Sequence, residues 1–397
     1  MAVSGERFLA DLYMLRSFGA AGTGNGVVRP AFSPADVAAR EWLAGRMSDA
    51  GLEPRFDSVG NLFGLAGNLS ILIGSHSDTQ PEGGWLDGAF GVIAALEVAR
   101  TMQETGGPPV SVVSFQDEEG RFGATVGSGI WTGAVPLVEA DKALDDSGVS
   151  LREARQSMAH LVGTRVSPGR FKAFIEPHIE QGPWLDDAGQ TIGVVSAIVG
   201  LREIEVTLTG QQNHAGTTSM GARRDAVQGM VAVSAALNER LAAIATDRTV
   251  WTVGRVDVSP NAGSIVPGRC VFSVQWRDAE KDRLDAMQTV IHEVLDSIAA
   301  ERGLELTVTQ QPDLAPVEMN ANLRSLLETA AEKIAPGKWQ SMPSGAVHDA
   351  GYVARVLPTA MMFVPSIGGI SHDFAEDTKE EDLVTGVKVL AEAVEQF

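Results

Sequence analysis

Four segments of the chain carry histidines and carboxylates of the types that bind divalent metal ions. The segments are GSHSDTQPEGGWLDG with His76, Asp78 and Asp87, SFQDEEGRFG with Asp117, Glu118 and Glu119, FIEPHIEQGP with His178, and FVPSIGGISHDFAEDT with His372. Neutral imidazoles and carboxylates are typical ligands of borderline metals such as zinc. Each segment alone has an ordinary interpretation, as a structural histidine or a solvated run of acids. Their combination in one chain indicates a metal site.

The spacing within the segments suggests a division of labour. Asp78 lies two residues beyond His76, so in an extended backbone its carboxylate can face the same side and hold the far ring nitrogen. Asp87 follows a Gly-Gly turn at a predicted helix N-terminus, where a carboxylate is favoured electrostatically. Glu118 and Glu119 are adjacent and point in different directions, so one can bind metal while the other moves protons.

The elements that must position these residues read as an α/β fold with a mainly parallel mixed sheet and flanking helices. Short apolar runs predict the buried strands Ile71–Ile73, Val110–Phe115, Phe171–Ile175 and Ala360–Val364. A helical pattern over Asp87–Met102 follows the first strand, and Thr378 with Glu381 predicts a capping box for the last helix. Ligands of open α/β sheets bind at the carboxyl ends of the strands, so the four segments point at one site.

The hydrophobic pattern of the sequence changes between Gly200 and Pro312. There Ile204, Val206 and Leu208 alternate with polar residues, and two amphipathic helical patterns follow. We interpret residues 200–312 as an inserted α+β domain with antiparallel strands. The catalytic domain is then discontinuous, with residues 1–199 and 313–397.

The bulk composition excludes several classes of protein. The 397 residues suit two domains, and 44% hydrophobic and 21% charged residues are typical of a globular protein. A net charge of −20 disfavours nucleic acid and anionic membranes as partners. The first residues mix charges into their apolar run and no span-length apolar stretch follows, so we expect a cytoplasmic protein. Cys270 is the single cysteine, and its alternation with apolar residues predicts a buried strand position.

Three motifs carry a resemblance to a known family: HIEQGP around His178, NHAGTT around His214, and PSIGGISH ending at His372. With the four acidic and histidine clusters, they resemble the dinuclear metal-dependent amidohydrolases and exopeptidases that include aminoacylases and carboxypeptidase G. Within that family the motifs are similar to the branch of N-carbamoyl-L-amino-acid hydrolases, β-ureidopropionases and allantoate amidohydrolases. The resemblance spans nearly the whole chain.

The resemblance implies a metal site and a base. It implies two divalent metal ions per subunit. Zinc is the favoured metal, and manganese, nickel and cobalt are also compatible with the ligands. The first ion is held by His76, Asp87 and His178, and the second by Asp87, Glu119 and His372. Glu118 is then the general base that takes a proton from a metal-bridged water, and Asp78 orients a ligand.

The resemblance also gives the inserted domain the role of a lid and dimerisation domain. In the implied homodimer, His214 reaches the site of the partner subunit and stabilises the oxyanion. Arg277 is implied to bind the carboxylate of a small-molecule substrate. Further substrate contacts are predicted for Gln181, Ser264, Arg223 and His348. Two residues depart from the pattern of the branch, Ser264 in place of asparagine and Gln275 in place of an acid.

The implied function is hydrolysis of a linear amide or ureido C–N bond. The favoured substrate is an N-carbamoyl-L-amino acid or a related ureido acid. Alternatives on the same scaffold are an allantoate or ureidopropionate amidohydrolase and an N-acyl amino acid amidohydrolase or dipeptidase. An alternative of another class is a catalytically inactive metal-binding protein.

Overall fold

A computed structural model describes residues 3–67, 69–311 and 313–397 of the chain. The chain forms two compact units, one of residues Met1–Ser196 with Glu318–Phe397 and the other of residues Ala197–Val317. Pro312, where the predicted insertion ends, lies outside the described residues.

The strands are, in chain order, β1 Glu53–Phe56, β2 Leu62–Leu65, β3 Ser70–His76, β4 Val110–Phe115, β5 Phe171–Ile179, β6 Ile192–Ile198, β7 Gly200–Thr209, β8 Asn213–His214, β9 Val250–Thr252, β10 Val256–Ser259, β11 Ile265–Val266, β12 Arg269–Asp278, β13 Glu305–Gln310, β14 Val317–Glu318, β15 Trp339–Ser344 and β16 Thr359–Val364.

The α-helices are α1 Gly5–Ser17, α2 Pro34–Asp49, α3 Ala89–Thr105, α4 Val126–Thr132, α5 Leu137–Ala140, α6 Leu151–Ser157, α7 Trp184–Asp187, α8 Ala226–Ala242, α9 Lys281–Arg302, α10 Ala321–Ile334, α11 Asp349–Val353 and α12 Glu380–Glu395. Short 3-10 turns occupy Ala159–Leu161, Pro168–Arg170, Met220–Ala222 and Ile367–Gly369. In the described part of the chain, no helix combines the length and the apolar character that crossing a membrane requires.

The first unit is built on a mixed, mainly parallel sheet with the strand order β1-β2-β4-β3-β5-β16-β6-β14, in which β15 also pairs with β6. The four central strands β4, β3, β5 and β16 run parallel, and β1, β2 and β6 pair antiparallel at the two sides. These central strands contain the four apolar runs that the sequence predicted, and the predicted α/β class is confirmed. Their carboxyl ends therefore meet along one edge of the sheet.

Helix α3 connects β3 to β4 and is buried on all sides from Ala89 to Met102, in agreement with its predominantly apolar sequence. It begins later and ends later than the predicted Asp87–Met102. Gly88 is its N-cap with φ +62°, and a Cβ there would overlap the ring of His76. Glycine at this position lets the helix start against the end of β3.

The second unit has an antiparallel sheet with the order β10-β12-β7-β13, in which β9 also pairs with β12. Helices α8 and α9 pack on one face of it, over a core that includes Ile204, Val206 and Leu208. Cys270 is fully buried in the same core, as its alternation with apolar residues predicted. The antiparallel α+β character predicted for this stretch is confirmed.

The predicted capping box of the last helix is wrong. Helix α12 begins at Glu380 after Lys379, which makes no side-chain cap. The hydroxyl of Thr378 instead donates to the carbonyl of Pro365, and so ties the start of the helix to the segment after β16. A tertiary partner has replaced the local one.

A buried ion pair fastens the carboxyl end of β4. Arg40 and Asp36, both on α2 and both inaccessible to solvent, are 2.8 Å apart. The Arg40 guanidinium also donates to the carbonyls of Ser114 and Phe115, and the other oxygen of Asp36 accepts from Gln116 Nε2. The buried guanidinium therefore links α2 to the end of β4.

Replacing Arg40 by methionine should destabilise the protein strongly, because it leaves the Asp36 carboxylate buried without its cationic partner and removes the guanidinium donor of two strand-end carbonyls. Breaking a buried pair in this way costs about 3–5 kcal/mol of unfolding free energy. The matched control is Arg55→Met, whose ion pair with Glu53 is more than half exposed and is worth about 1 kcal/mol or less. Urea unfolding midpoints measure both, and equal midpoints for the two variants would contradict this account.

Candidate metal centre

The carboxyl ends of β3, β4 and β5 and the loop after β16 bring the predicted ligands together. Besides a group of Glu176, His178 and His348, two groups of side chains have donor atoms within 4.8 Å of one another, one of His76, Asp87 and His178 and one of Asp87, Glu119 and His372. Asp87 belongs to both groups. These are the two ligand sets that the resemblance implied.

In the first group both histidines direct Nε2 at the same carboxylate oxygen. Oδ1 of Asp87 lies 3.5 Å from Nε2 of His76 and 3.1 Å from Nε2 of His178. All three side chains are almost completely buried. The second group uses the other oxygen, because Oδ2 of Asp87 lies 3.2 Å from Nε2 of His372, which is in turn 3.5 Å from Oε2 of Glu119. The Asp87 carboxylate thus faces one group with each oxygen.

The donor atoms fit metal ions. Nδ1 of His178 lies 2.9 Å from the carbonyl of Ile179, and Nδ1 of His76 lies 3.1 Å from the carbonyl of Asp78. A ring that donates from Nδ1 presents a lone pair at Nε2. Nε2 of His178 is buried without a hydrogen-bond partner. A lone pair and a carboxylate oxygen that converge in this way repel each other unless a cation lies between them, so these residues fit a bound metal.

The acidic run after β4 is held in a tight turn. Asp117 adopts φ +55°, and its carboxylate accepts the backbone N–H groups of Arg121 and Phe122. The Asp78 carboxylate lies 3.5 Å and 3.3 Å from the backbone nitrogens of Glu118 and Glu119. The sequence led us to expect the Asp78 carboxylate at the far ring nitrogen of His76. The structure places the Asp78 carbonyl nearer, since the carboxylate is 3.7 Å from Nδ1.

Glu118 and Glu119 approach different histidines. Oε2 of Glu118 lies 3.7 Å from Nε2 of His76, beside the first group, and Glu119 belongs to the second group. Oε2 of Glu119 also accepts from Nε2 of Gln80. The two adjacent carboxylates therefore occupy separate positions in the centre.

The electrostatics of the centre are those of crowded acids. Burial, together with repulsion from Asp349 and Glu119, raises the pKa of Glu118 well above its usual range despite the nearby His76. Burial and repulsion from Asp87 raise the pKa of Glu119 to about 7. Burial would also raise the pKa of Asp87, but contacts with His178, His372 and His76 hold it well below the usual value. Carboxylates forced together in this way favour bound cations.

Gln181 lies at the second group. Its Nε2 donates to Oδ2 of Asp87 at 2.8 Å and lies 3.2 Å from Nε2 of His372. Gln181 and His372 both have positive φ angles, near +58° and +55°. Non-glycine residues in this region are uncommon, and they cluster at functional sites.

His348 lies beneath the first group. Its ring packs against that of His178 with 4.5 Å between centroids, and its Nε2 lies 2.9 Å from the hydroxyl of Ser344. Burial, together with the proximity of His178, lowers the pKa of His348 well below its usual range. The neutral ring is fully buried, so it supports His178 from behind in the structure described.

The other predicted residues lie in the unit of residues 197–317. His214 is exposed on β8, which pairs with β11, and the backbone N–H of Gly216 donates to its Nδ1 at 3.0 Å. A neutral ring that accepts at Nδ1 carries its proton on Nε2 and can donate from there. Arg223 donates to the carbonyls of Ala215 and Thr218, and thereby holds the loop after His214. The carbonyl of Ser264 accepts from the N–H of Ala215 beside the pairing of β8 with β11.

Arg277 lies near the end of β12 and is oriented by the residue two positions before it. Its Nε and Nη2 both donate to Oε1 of Gln275, at 3.0 Å and 2.9 Å. Nε2 of Gln275 donates in turn to Glu203, its direct partner on β7. Gln275, one of the two departures from the branch pattern, therefore helps to orient the guanidinium.

Sequence reasoning missed two buried acids of the centre. Glu176 on β5 accepts from the hydroxyl of Ser75 and the backbone N–H of Ala350, and the signal was its position two residues before His178 on one strand. Glu376 accepts the N–H groups of Leu86 and Asp87, and burial raises its pKa to about 7. Glu376 lay in the acidic stretch after His372 and carried no distinguishing signal.

Comparison with known proteins agrees with this arrangement. Residues 72–396 match the model of Peptidase family M20/M25/M40. The chain is 36% identical to the N-carbamoyl-L-amino acid amidohydrolase of Geobacillus stearothermophilus, an alignment that covers 100% of this chain and 99% of that protein. It is 38% identical to the allantoate amidohydrolase of Escherichia coli K12, over 95% of this chain and 94% of that protein.

A solved structure gives the same result. The crystal structure of an amidase of the hydantoinase/carbamoylase family from Burkholderia phymatum is similar with a TM-score of 0.92 and 42% sequence identity, and the match covers 100% of this chain and 98% of that chain. The agreement extends over both compact units. The chain belongs to Peptidase family M20/M25/M40, in its hydantoinase/carbamoylase amidohydrolase branch.

Proposed function

We propose that this protein is a dinuclear metal amidohydrolase that cleaves the ureido C–N bond of an N-carbamoyl-L-amino acid or a closely related ureido acid. One observation carries the proposal: two donor groups share the Asp87 carboxylate, and Glu118 lies beside them without belonging to either. This arrangement separates metal binding from proton transfer.

His76, Asp87 and His178 would hold one metal ion, and Asp87, Glu119 and His372 the other, with zinc the first choice and manganese, nickel or cobalt compatible with the same donors. A bound pair of such ions lowers the pKa of a water molecule and polarises the attacked carbonyl group. The chain then needs no covalent nucleophile of its own.

Glu118 is the general base of the proposed reaction. Its carboxylate is almost buried beside His76, and its environment raises its pKa well above that of a free glutamate. A carboxylate of raised pKa can accept the proton of the attacking water and return it to the leaving nitrogen. Asp78 supports this step through the backbone nitrogens of Glu118 and Glu119, which lie near its carboxylate.

His214 supplies a hydrogen bond to the carbonyl oxygen on which negative charge develops. The contact from Gly216 to Nδ1 leaves its proton on Nε2, and the side chain is exposed and so available to a second molecule. We assign this role in trans, with His214 of one subunit of a homodimer acting at the centre of its partner. Arg223 keeps the His214 loop in shape.

Substrate recognition is assigned to Arg277, which binds the substrate carboxylate, with Gln181 and Ser264 as further contacts and His348 acting through His178. A guanidinium held by Gln275 is prepared for a planar anion. Relatives named as N-carbamoyl-L-amino acid and as allantoate amidohydrolases are 36% and 38% identical, so identity alone does not choose between these substrates. A cytoplasmic location and a homodimer belong to the same proposal.

A metal-supplemented substrate panel tests the proposal. We expect ammonia and the free amino acid from N-carbamoyl-L-amino acids, with weaker or no turnover of allantoate, ureidopropionate and N-acyl amino acids. Product mass and ammonia release measure this, because deacylation of an N-acyl amino acid yields no ammonia. Turnover of N-acyl amino acids or dipeptides alone would reject the ureido assignment, and no turnover with any metal would favour the inactive binding protein.

Glu118→Gln should keep the metals and lose turnover, since the amide is isosteric but cannot accept the proton. We expect kcat to fall by about 10²–10⁴-fold. Glu119→Gln is the matched variant on the neighbouring residue and should lose bound metal instead. Elemental analysis of dialysed protein, read beside kcat, separates the two. Full activity of Glu118→Gln would refute its role as the base.

Mixing two inactive variants, Glu118→Gln and His214→Ala, should restore activity if His214 acts in trans. Each hybrid dimer contains one intact site, so a random equal mixture should recover about a quarter of wild-type activity. Subunit exchange is verified by mass-tagging one variant. Verified hybrids without activity would show that His214 acts within its own chain or not at all.

A further inference from the structure

We propose that Glu376 is a positioning residue that holds the bridging carboxylate of Asp87 in place and thereby sets the affinity of the chain for its second metal ion. The inference rests on the metal assignment of the proposed function. Glu376 is not one of the ligands, and it belongs to neither donor group.

The contacts of Glu376 are aimed at the main chain of Asp87. Oε1 accepts the backbone N–H groups of Leu86 and Asp87, each at 3.0 Å. Oε2 accepts the hydroxyl of Ser371 at 2.8 Å, and that hydroxyl lies 3.4 Å from Oδ2 of Asp87. The residue is 1% exposed. Three donors therefore fix one buried carboxylate in one orientation.

The backbone N–H groups of Leu86 and Asp87 have no hydrogen-bond acceptor within helix α3. They precede α3, which starts at Ala89, so they lie outside the intrahelical hydrogen bonds. Without Glu376 both would be buried and unsatisfied. The main chain that carries the bridging ligand would then lose its two anchors.

The chain leaves room for this carboxylate. A Cβ on Gly84 would overlap the Glu376 side chain, and Gly84 does not have a positive φ that would require glycine. Glycine at this position is therefore explained by the close approach of Glu376. Trp85 makes a second link between the same segments, since its Nε1 donates to Asp377 at 3.3 Å.

Glu376 should affect the two donor groups unequally. His76 and His178 end the rigid, buried strands β3 and β5 and depend little on the last segment of the chain. His372 lies on a loop, its side chain is 48% exposed, and it adjoins Ser371, which Glu376 holds. The second group is thus the one whose geometry depends on the link between the two segments.

The test is a titration of metal-free protein with Mn²⁺, followed by calorimetry and by the electron paramagnetic resonance signal of a coupled Mn pair. Glu376→Ala should weaken the second site by about 10–100-fold and lose the coupled signal, with the first site nearly unchanged. Glu376→Gln keeps an oxygen for the two N–H groups and should restore both readouts. Asp377→Asn is the matched control on the neighbouring residue and should behave as wild type, because it keeps the oxygen that accepts from Trp85.

Thermal unfolding of the metal-free variants distinguishes positioning from general damage to the fold. Equal weakening of both sites in Glu376→Ala, or a Glu376→Gln variant as impaired as Glu376→Ala, would overturn the proposal, as would unchanged affinities at both sites. A wild-type protein that binds the Mn pair but hydrolyses no ureido acid would reject the proposed reaction and leave the role of Glu376 standing. A wild-type protein without a metal pair would reject both.

Discussion

The rest of the structure depends on the contacts of the buried Asp87 carboxylate with three histidines. The carboxylate is almost completely buried, and three histidine nitrogens lie between 3.1 Å and 3.5 Å from its oxygens. A buried carboxylate is costly unless charges and donors compensate it. The three histidines come from β3, from β5 and from the loop after β16, so they surround Asp87 only when the parallel strands stand in their observed order.

That dependence explains why much of the site could be predicted from the sequence. His76, Glu119, His178 and His372 each follow an apolar run that reads as a buried strand, and parallel strands place such ends along one edge. The four strands were found as predicted, since a buried strand needs a continuous apolar run wherever it lies. Which residues share a metal could not be derived in this way, because spacing along one strand says nothing about distances between strands.

The remaining differences arise where a distant partner replaces a local one. Thr378 has the residue type and spacing of a cap, yet its hydroxyl bonds the carbonyl of Pro365. The ring of His76 is hydrogen-bonded to the backbone carbonyl of Asp78 and not to its carboxylate. That carboxylate instead faces the backbone nitrogens of the acidic run after β4. Glu376 gave no signal at all, since its donors lie nearly three hundred residues earlier in the chain. Tertiary hydrogen bonds of this kind leave no local pattern.

The residues proposed to bind substrate follow a different constraint from the proposed metal ligands. A metal ion fixes its ligands closely, whereas an arginine that binds a carboxylate is tuned by its neighbours. Burial lowers the pKa of Arg277, the charge of Glu203 opposes that shift, and the neutral amide of Gln275 hydrogen-bonds both residues. An acid at position 275 would instead put a negative charge directly on the guanidinium and compete with an anionic substrate. In the proposed role of Arg277, the departure at Gln275 would therefore favour anion binding.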